Sequence, residues 1–309
     1  MKAQMFDFPK RVVITGGNGF IGSHLIDELQ RRGHKVISFD LCRPQHNRVE
    51  TIIGSVLDTD KITKALSKAD FVFHLAGLLG THELVDCAIE ATKVNVLGTL
   101  NVLEACRKSG AKLVEISKPN CWVNTYTITK VAAESFTEMY RREHGLKAAT
   151  TKWFNVYGGR QPLMEEAGYK KLIPTAIVNA LLGKPIEIYG NGEQTMDLVH
   201  TTDTVEATLS IMDNWKECEG NVFEIGEGKE TTVNEAVETI IALTGSSSEV
   251  VHIPMRKGET DNTRLKADIT ALNRLAGWSP RISLTDGLAQ TIEWYAKKCE
   301  IKFAGVCAL

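Results

Sequence analysis

Apolar and polar positions alternate in a regular rhythm over the first half of the chain. Short apolar runs, Arg11 to Thr15, Lys35 to Phe39, Val49 to Ile53, Phe71 to His74, Ala111 to Ile116 and Ala148 to Phe154, are each four to seven residues long and predict strands. Between them, Phe20 to Arg32, Lys61 to Ser67, Leu84 to Lys108 and Asn124 to His144 carry apolar residues at helical spacing. Strand and helix alternating in this way predict an α/β fold, a Rossmann-type doubly wound parallel sheet with both faces covered. After Asn155 the rhythm breaks. Gly158 to Lys171 is polar and Gly-containing and predicts a loop; later segments are short and divided by turn residues such as Gly190-Asn191-Gly192. The expected organisation is a dinucleotide-binding domain over 1–155, joined by some later segments, and a smaller mixed substrate-binding region made mainly from 156–309.

Composition narrows the function classes. With 309 residues and 43% hydrophobic content, the chain can bury a large core. A formal net charge of -2 and the lack of a basic block argue against nucleic acid and anionic membrane surfaces as partners. No apolar run reaches the roughly 20 residues that span a bilayer, and Met1 to Lys10 lacks the apolar core of a signal peptide. Seven scattered Cys without a CxxC predict reduced thiols in a cytoplasmic protein, and no Cys/His clustering predicts a metal site.

The first strand runs into Gly16-Gly17-Asn18-Gly19-Phe20-Ile21-Gly22, which opens a helix. Gly16 suits the tight turn, Gly19 the approach of a pyrophosphate, and Gly22 close packing of helix on sheet. The helix N-terminus offers free N–H groups to the phosphates. Asp40 ends the next strand about 20 residues on, where a carboxylate takes the adenosine ribose hydroxyls. That carboxylate favours NAD over NADP; Arg43 lies close and would temper the preference.

Tyr126 and Lys130 stand four residues apart on one face of a predicted helix. An ammonium beside a phenol favours the phenolate, which can take a proton from a substrate hydroxyl as hydride leaves its carbon. The same spacing is common on solvated helices; its place after the fifth strand of a nucleotide-binding sheet is what gives it weight. His24, His200, Trp122 and Trp153 are expected to be structural.

Together these segments resemble the extended short-chain dehydrogenase/reductases, in the NAD-dependent sugar-nucleotide epimerase/dehydratase family. The resemblance extends to His74-Leu75-Ala76-Gly77, Asn95-Val96-Leu97-Gly98-Thr99, Tyr126-Thr127-Ile128-Thr129-Lys130, Phe154-Asn155-Val156-Tyr157-Gly158, Leu172-Ile173-Pro174, Ile188 to Gln194, and Leu275-Ala276-Gly277-Trp278-Ser279-Pro280. It implies NAD as cofactor, held by Gly16, Gly19, Phe20, Ile21, Gly22, Asp40, Ser55, Val56, Leu75, Ala76, Gly77, Asn95, Tyr126 and Lys130. It implies catalysis by Tyr126 and Lys130 with Ser117, and substrate contacts from Thr81, Asn155 and Arg256. The implied reaction is C4 epimerisation through a keto sugar, with net oxidation, reduction or dehydration of a nucleotide sugar as the alternative. A silent NAD-binding module is the reading from another class. A homodimer built on the helices after the fourth and fifth strands is implied as well.

Three segments depart from the family pattern. The fifth strand ends Ile116-Ser117-Lys118-Pro119-Asn120, which aligns Lys118, not Ser117, with the usual Ser/Thr. Pro119 and Asn120 replace the acidic residues of the elimination and decarboxylation branches, and the stretch to Tyr126 is short. Met196 stands where the family carries a diphosphate-binding Arg, leaving Arg256, Arg264 and Arg160 as candidates to supply the charge.

Overall fold

The computed structural model describes residues 9–45, 48–303 and 305–307; the reading of Met1 to Lys10 falls largely outside them. Seven strands form one parallel sheet: β1 (Arg11–Thr15), β2 (Lys35–Asp40), β3 (Glu50–Ile53), β4 (Phe71–His74), β5 (Lys112–Ser117), β6 (Ala148–Trp153) and β7 (Val222–Ile225). The spatial order is β7-β6-β5-β4-β1-β2-β3, so the order reverses between β1 and β4. In open α/β sheets a ligand crevice forms at such a reversal, outside the carboxyl ends of the strands.

Pleating sends alternate residues to opposite faces. Val12, Ile14, Phe73 and Val114 join one buried cluster with Leu25 and Ile26 of α1 (Phe20–Arg31). Val13, Val72 and Leu113 join the other, with Ile62 and Leu66 of α2 (Thr59–Leu66) and Val102 and Leu103 further along. The predicted helix over 84–108 begins later. It consists of α3 (Ala88–Thr92), a π-helical turn (Lys93–Leu97) and α4 (Gly98–Ser109). The wider turn carries Asn95, whose side chain is fully buried and tied to a neighbouring loop and to the next helix. That helix, α5 (Thr125–His144), starts at Asn124, whose side chain caps the Thr127 N–H, and stops at Gly145 in the left-handed conformation.

The later chain serves two places. Helix α6 (Leu172–Leu181), helix α8 (Val233–Thr244) and helix α9 (Leu284–Lys298) bury a separate apolar cluster containing Ile177, Ile240 and Ile292. Helix α7 (Thr201–Asp213), β7 and Leu272 instead pack into the first sheet cluster. The segment 158–171, expected as a loop, contains one helical turn, Met164–Ala167. Among the described residues no helix is long and apolar enough to cross a membrane, and no group of three His, Cys, Asp or Glu is placed to hold a metal ion.

Candidate active site

A cleft of about 810 Å³ runs from the β1–α1 turn, across the carboxyl ends of β4 and β5, to the cluster of α6, α8 and α9. The cofactor end is shaped by main chain. Gly16 has φ +70, and a Cβ there would lie 2.8 Å from the Ala76 amide nitrogen. A Cβ on Gly22 would lie 2.5 Å from the Gly16 carbonyl oxygen. Both contacts are far inside van der Waals distance, so neither Gly16 nor Gly22 can carry a side chain. The first turn of α1 therefore opens directly into the cleft, with Gly19, Phe20, Ile21 and Gly22 in its wall. Asp40 accepts hydrogen bonds from the Asn18 N–H (2.9 Å) and the Cys42 N–H (3.0 Å). Those bonds aim a carboxylate at the cleft beside the turn. The Thr15 hydroxyl accepts from the Ala76 N–H at 3.2 Å, fixing the Leu75-Ala76-Gly77 segment as the opposite wall. Ser55 and Val56 complete that end. An anion-binding helix N-terminus without side chains, next to a fixed carboxylate, fits a dinucleotide pyrophosphate with its ribose.

Asn95 occupies a different position. It stands behind the wall, where its amide donates to the Leu78 carbonyl (3.0 Å) and the Thr129 hydroxyl (3.1 Å) and accepts from the Leu78 N–H (2.7 Å). It thus braces the cleft lining against α5.

Tyr126 and Lys130 both line the cleft from α5, one turn apart. Burial raises the Tyr126 phenol above its ordinary range, and Tyr169 adds to the effect. Ser117, at the end of β5, and Lys118 just after it both line the cleft but have different partners. The Ser117 hydroxyl donates to Glu134 of α5 at 3.0 Å. Lys118 comes up beside the tyrosine, its Nζ 5.8 Å from the Tyr126 ring centre and donating to Thr127 Oγ1 at 2.8 Å. Burial lowers the Lys118 ammonium below its ordinary range.

At the far end, Thr81, Asn155, Met196 and Arg256 all reach the cleft. Asn155 Oδ1 is buried with no hydrogen-bond partner in the protein. Arg256 packs on the Tyr189 ring at 5.3 Å and pairs with Glu259. Arg160 lines the cleft but is paired with Asp27 at 2.7 Å, and Arg264 is exposed beside Glu230. Two residues escaped the sequence reading. Lys171 lines the cleft next to Arg256; burial first, then the Arg256 charge, pushes its ammonium down to about 8. The signal was its place just ahead of Leu172-Ile173-Pro174. The other is Glu115, an acid within an apolar strand, fully buried behind Lys130.

Residues 12–226 match the model of the NAD dependent epimerase/dehydratase family. The chain belongs to this family. It is 32% identical to a UDP-N-acetyl-alpha-D-glucosaminuronate decarboxylase of Bacillus cytotoxicus, over 93% of this chain and 98% of that protein. It is also 32% identical to a putative UDP-glucose 4-epimerase of Methanocaldococcus jannaschii, over 92% and 97%. Among solved structures it resembles the UDP-glucose 4-epimerase of Thermotoga maritima with UDP-glucose, with a TM-score of 0.87 and 30% identity over 94% of this chain and 99% of that one. MoeE5 in complex with UDP-glucose and NAD gives 0.85 and 29% over 94% and 99%. The family's cofactor is NAD, and the Gly16 to Gly22 turn with Asp40 is the part of this chain that suits it.

Proposed function

We propose that this protein is an NAD-dependent epimerase that inverts C4 of a nucleotide-linked sugar. The observation that carries the reading is one cleft with the dinucleotide cradle at one end, Tyr126 and Lys130 in the middle, and Arg256 with Lys171 at the other. NAD, when bound, supplies a hydride acceptor that returns what it takes. Tyr126 removes the hydroxyl proton of the sugar and gives it back; an adjacent cation favours the phenolate against the burial that opposes it. Lys130 orients the nicotinamide ribose. Lys118 takes the place of the family's Ser/Thr, because the Ser117 hydroxyl is committed to Glu134. Asn155 offers an unbonded carbonyl oxygen to the substrate. Arg256 and Lys171 hold the diphosphate in place of the Arg replaced by Met196, and Thr81 contacts the sugar. Pro119 and Asn120 offer no acid or base, which supports epimerisation over elimination.

The division of labour follows the cleft: residues 1–155 bind NAD and 156–309 mainly bind substrate. Seven free thiols suit the reducing cytoplasm. Exposed Ile89 and Leu97 on the α3–α4 segment, and Ile128, Phe136 and Met139 on α5, support a homodimer through these helices. Leu103 of α4 faces the sheet core and is no part of that surface.

The test is turnover of UDP-glucose, UDP-N-acetylglucosamine and UDP-glucuronate, with the C4 epimers separated by chromatography and free NADH followed in parallel. Interconversion without NADH accumulation is expected, and Tyr126→Phe should lower kcat by about 10²- to 10⁴-fold with NAD still bound. Accumulating NADH, or a fully active Tyr126→Phe enzyme, would overturn the reading.

A further inference from the structure

Glu115 is a fully buried carboxylate in the middle of β5, flanked in sequence by Leu113, Val114 and Ile116. It belongs to a buried polar row across the sheet. Thr15 of β1 is in register with His74 of β4, His74 with Glu115, and Glu115 with Thr150 of β6. The row lies on the face covered by α4 and α5.

Each charged or titratable group around Glu115 can be assigned. His74 is held on both ring nitrogens, by Thr15 Oγ1 at 2.7 Å and Thr99 Oγ1 at 3.0 Å. Burial takes its pKa down to about 3, so it stays neutral and is no counter-ion. From α5, Glu134 is held by Lys152 of β6 at 2.9 Å and by the Ser117 hydroxyl at 3.0 Å. Among the described residues, the cation that faces Glu115 is Lys130 of α5, whose Nζ stands 3.7 Å away and whose side chain is 9% exposed. The polar neighbours of Glu115 are the Thr150 side chain of β6 and the Lys130 ammonium, both of which favour the charged carboxylate against burial. Burial raises the carboxyl, Lys130 opposes the rise, and Glu134 adds to it.

Replacing Glu115 and Lys130 together by hydrophobic side chains would satisfy the core at least as well, whereas an apolar residue at 115 alone would leave the buried Lys130 ammonium unpaired. Packing therefore does not call for the pair, and the carboxylate is there for the lysine. The residue that gains from it is Lys130, which has three donors to direct and lines the cleft. We infer that Glu115 is a positioning residue for the catalytic pair, a sealed counter-ion that holds the Lys130 ammonium at the floor of the cleft with its remaining donors turned toward the nicotinamide ribose and Tyr126. The inference rests on the role proposed above for Lys130.

The experiment is a double-substitution cycle of Glu115→Gln and Lys130→Met, read by kcat, KM, the pH–rate profile, NAD affinity and thermal melting. Glu115→Gln should lower kcat about tenfold or more with KM for the nucleotide sugar changed less than about threefold. The pH–rate profile should change as well, because the charge behind the catalytic pair is gone. The double variant should be no slower than Lys130→Met alone, and Glu115→Leu should raise the melting temperature of Lys130→Met, where it removes a buried carboxyl left without its cation. Parental kcat and pH profile in Glu115→Gln, or rate losses that multiply across the cycle, would overturn the inference. If the amide variant does not fold, Glu115→Asp draws the charge back by one methylene, and an unchanged kcat and pH profile there overturns it equally. If the parent protein turns over no nucleotide sugar, the functional reading fails; the melting and NAD-affinity cycles still decide the coupling.

Discussion

The two ends of the cleft are built by different means. The end proposed for the cofactor is made from main chain: a turn in which Gly16 and Gly22 leave no room for a Cβ, N–H groups at the start of α1, and an Asp40 carboxylate set by two backbone donors. The end proposed for the substrate is made from side chains brought in from separate segments: Asn155, Lys171, Met196 and Arg256, with Lys118 also in the lining. Main-chain sites are strict about residue type and local in sequence. Side-chain sites can move a charge from one segment to another, which is the exchange proposed here between position 196 and Lys171 with Arg256.

Three measurements would break or sharpen this contrast. The largest effect is expected at Gly22→Ala. The added Cβ would lie 2.5 Å from the Gly16 carbonyl oxygen, so the turn must shift. NAD affinity by calorimetry should fall by roughly 100-fold or more, while UDP binding stays near the parental value. Retained NAD affinity would show that the turn is not the cradle. Next is Arg256→Gln. Loss of a charged contact to a diphosphate, on the order of 1.5–3 kcal/mol, should raise KM for the nucleotide sugar about 10- to 100-fold and leave NAD affinity alone. An unchanged KM would move the diphosphate away from Arg256. The smallest effect is a pH dependence from Lys171. Its ammonium titrates at about 8 in the free protein, so it is charged below that pH and neutral above. KM should therefore rise severalfold as pH passes through 8, and Lys171→Met should abolish that rise. A parental KM that is flat from pH 7 to 9 would exclude the residue from diphosphate binding.

Legibility in the sequence followed the same division. The strand–glycine–helix unit and Asp40 could be located because their geometry is local. The Tyr126–Lys130 pair could be placed on one helical face by spacing alone. The π-helical turn at Lys93–Leu97 could not, since it arises where Asn95 reaches across to Leu78 and Thr129. Lys171 looked like any polar residue in a loop; only the fold brings it to Arg256. Glu115 was visible as an acid within an apolar strand, but the partner that gives it meaning sits fifteen residues later on another element. Ser117 and Lys118 were left open by alignment, and both line the cleft; they differ in partner, Ser117 bonding Glu134 of α5 and Lys118 lying beside Tyr126.

The position of β7 also bears on how the chain is made. Val222–Ile225 pairs along β6, and α7 covers the same side of the sheet. During synthesis, the first 155 residues leave the ribosome with β6 as a bare edge, its ladder of N–H and C=O groups open to any extended segment. That edge is closed only after some seventy more residues have been added. Truncation near residue 155 should therefore yield a sheet prone to pair with its own copies, and the nascent protein must keep β6 from doing so until its late partner arrives.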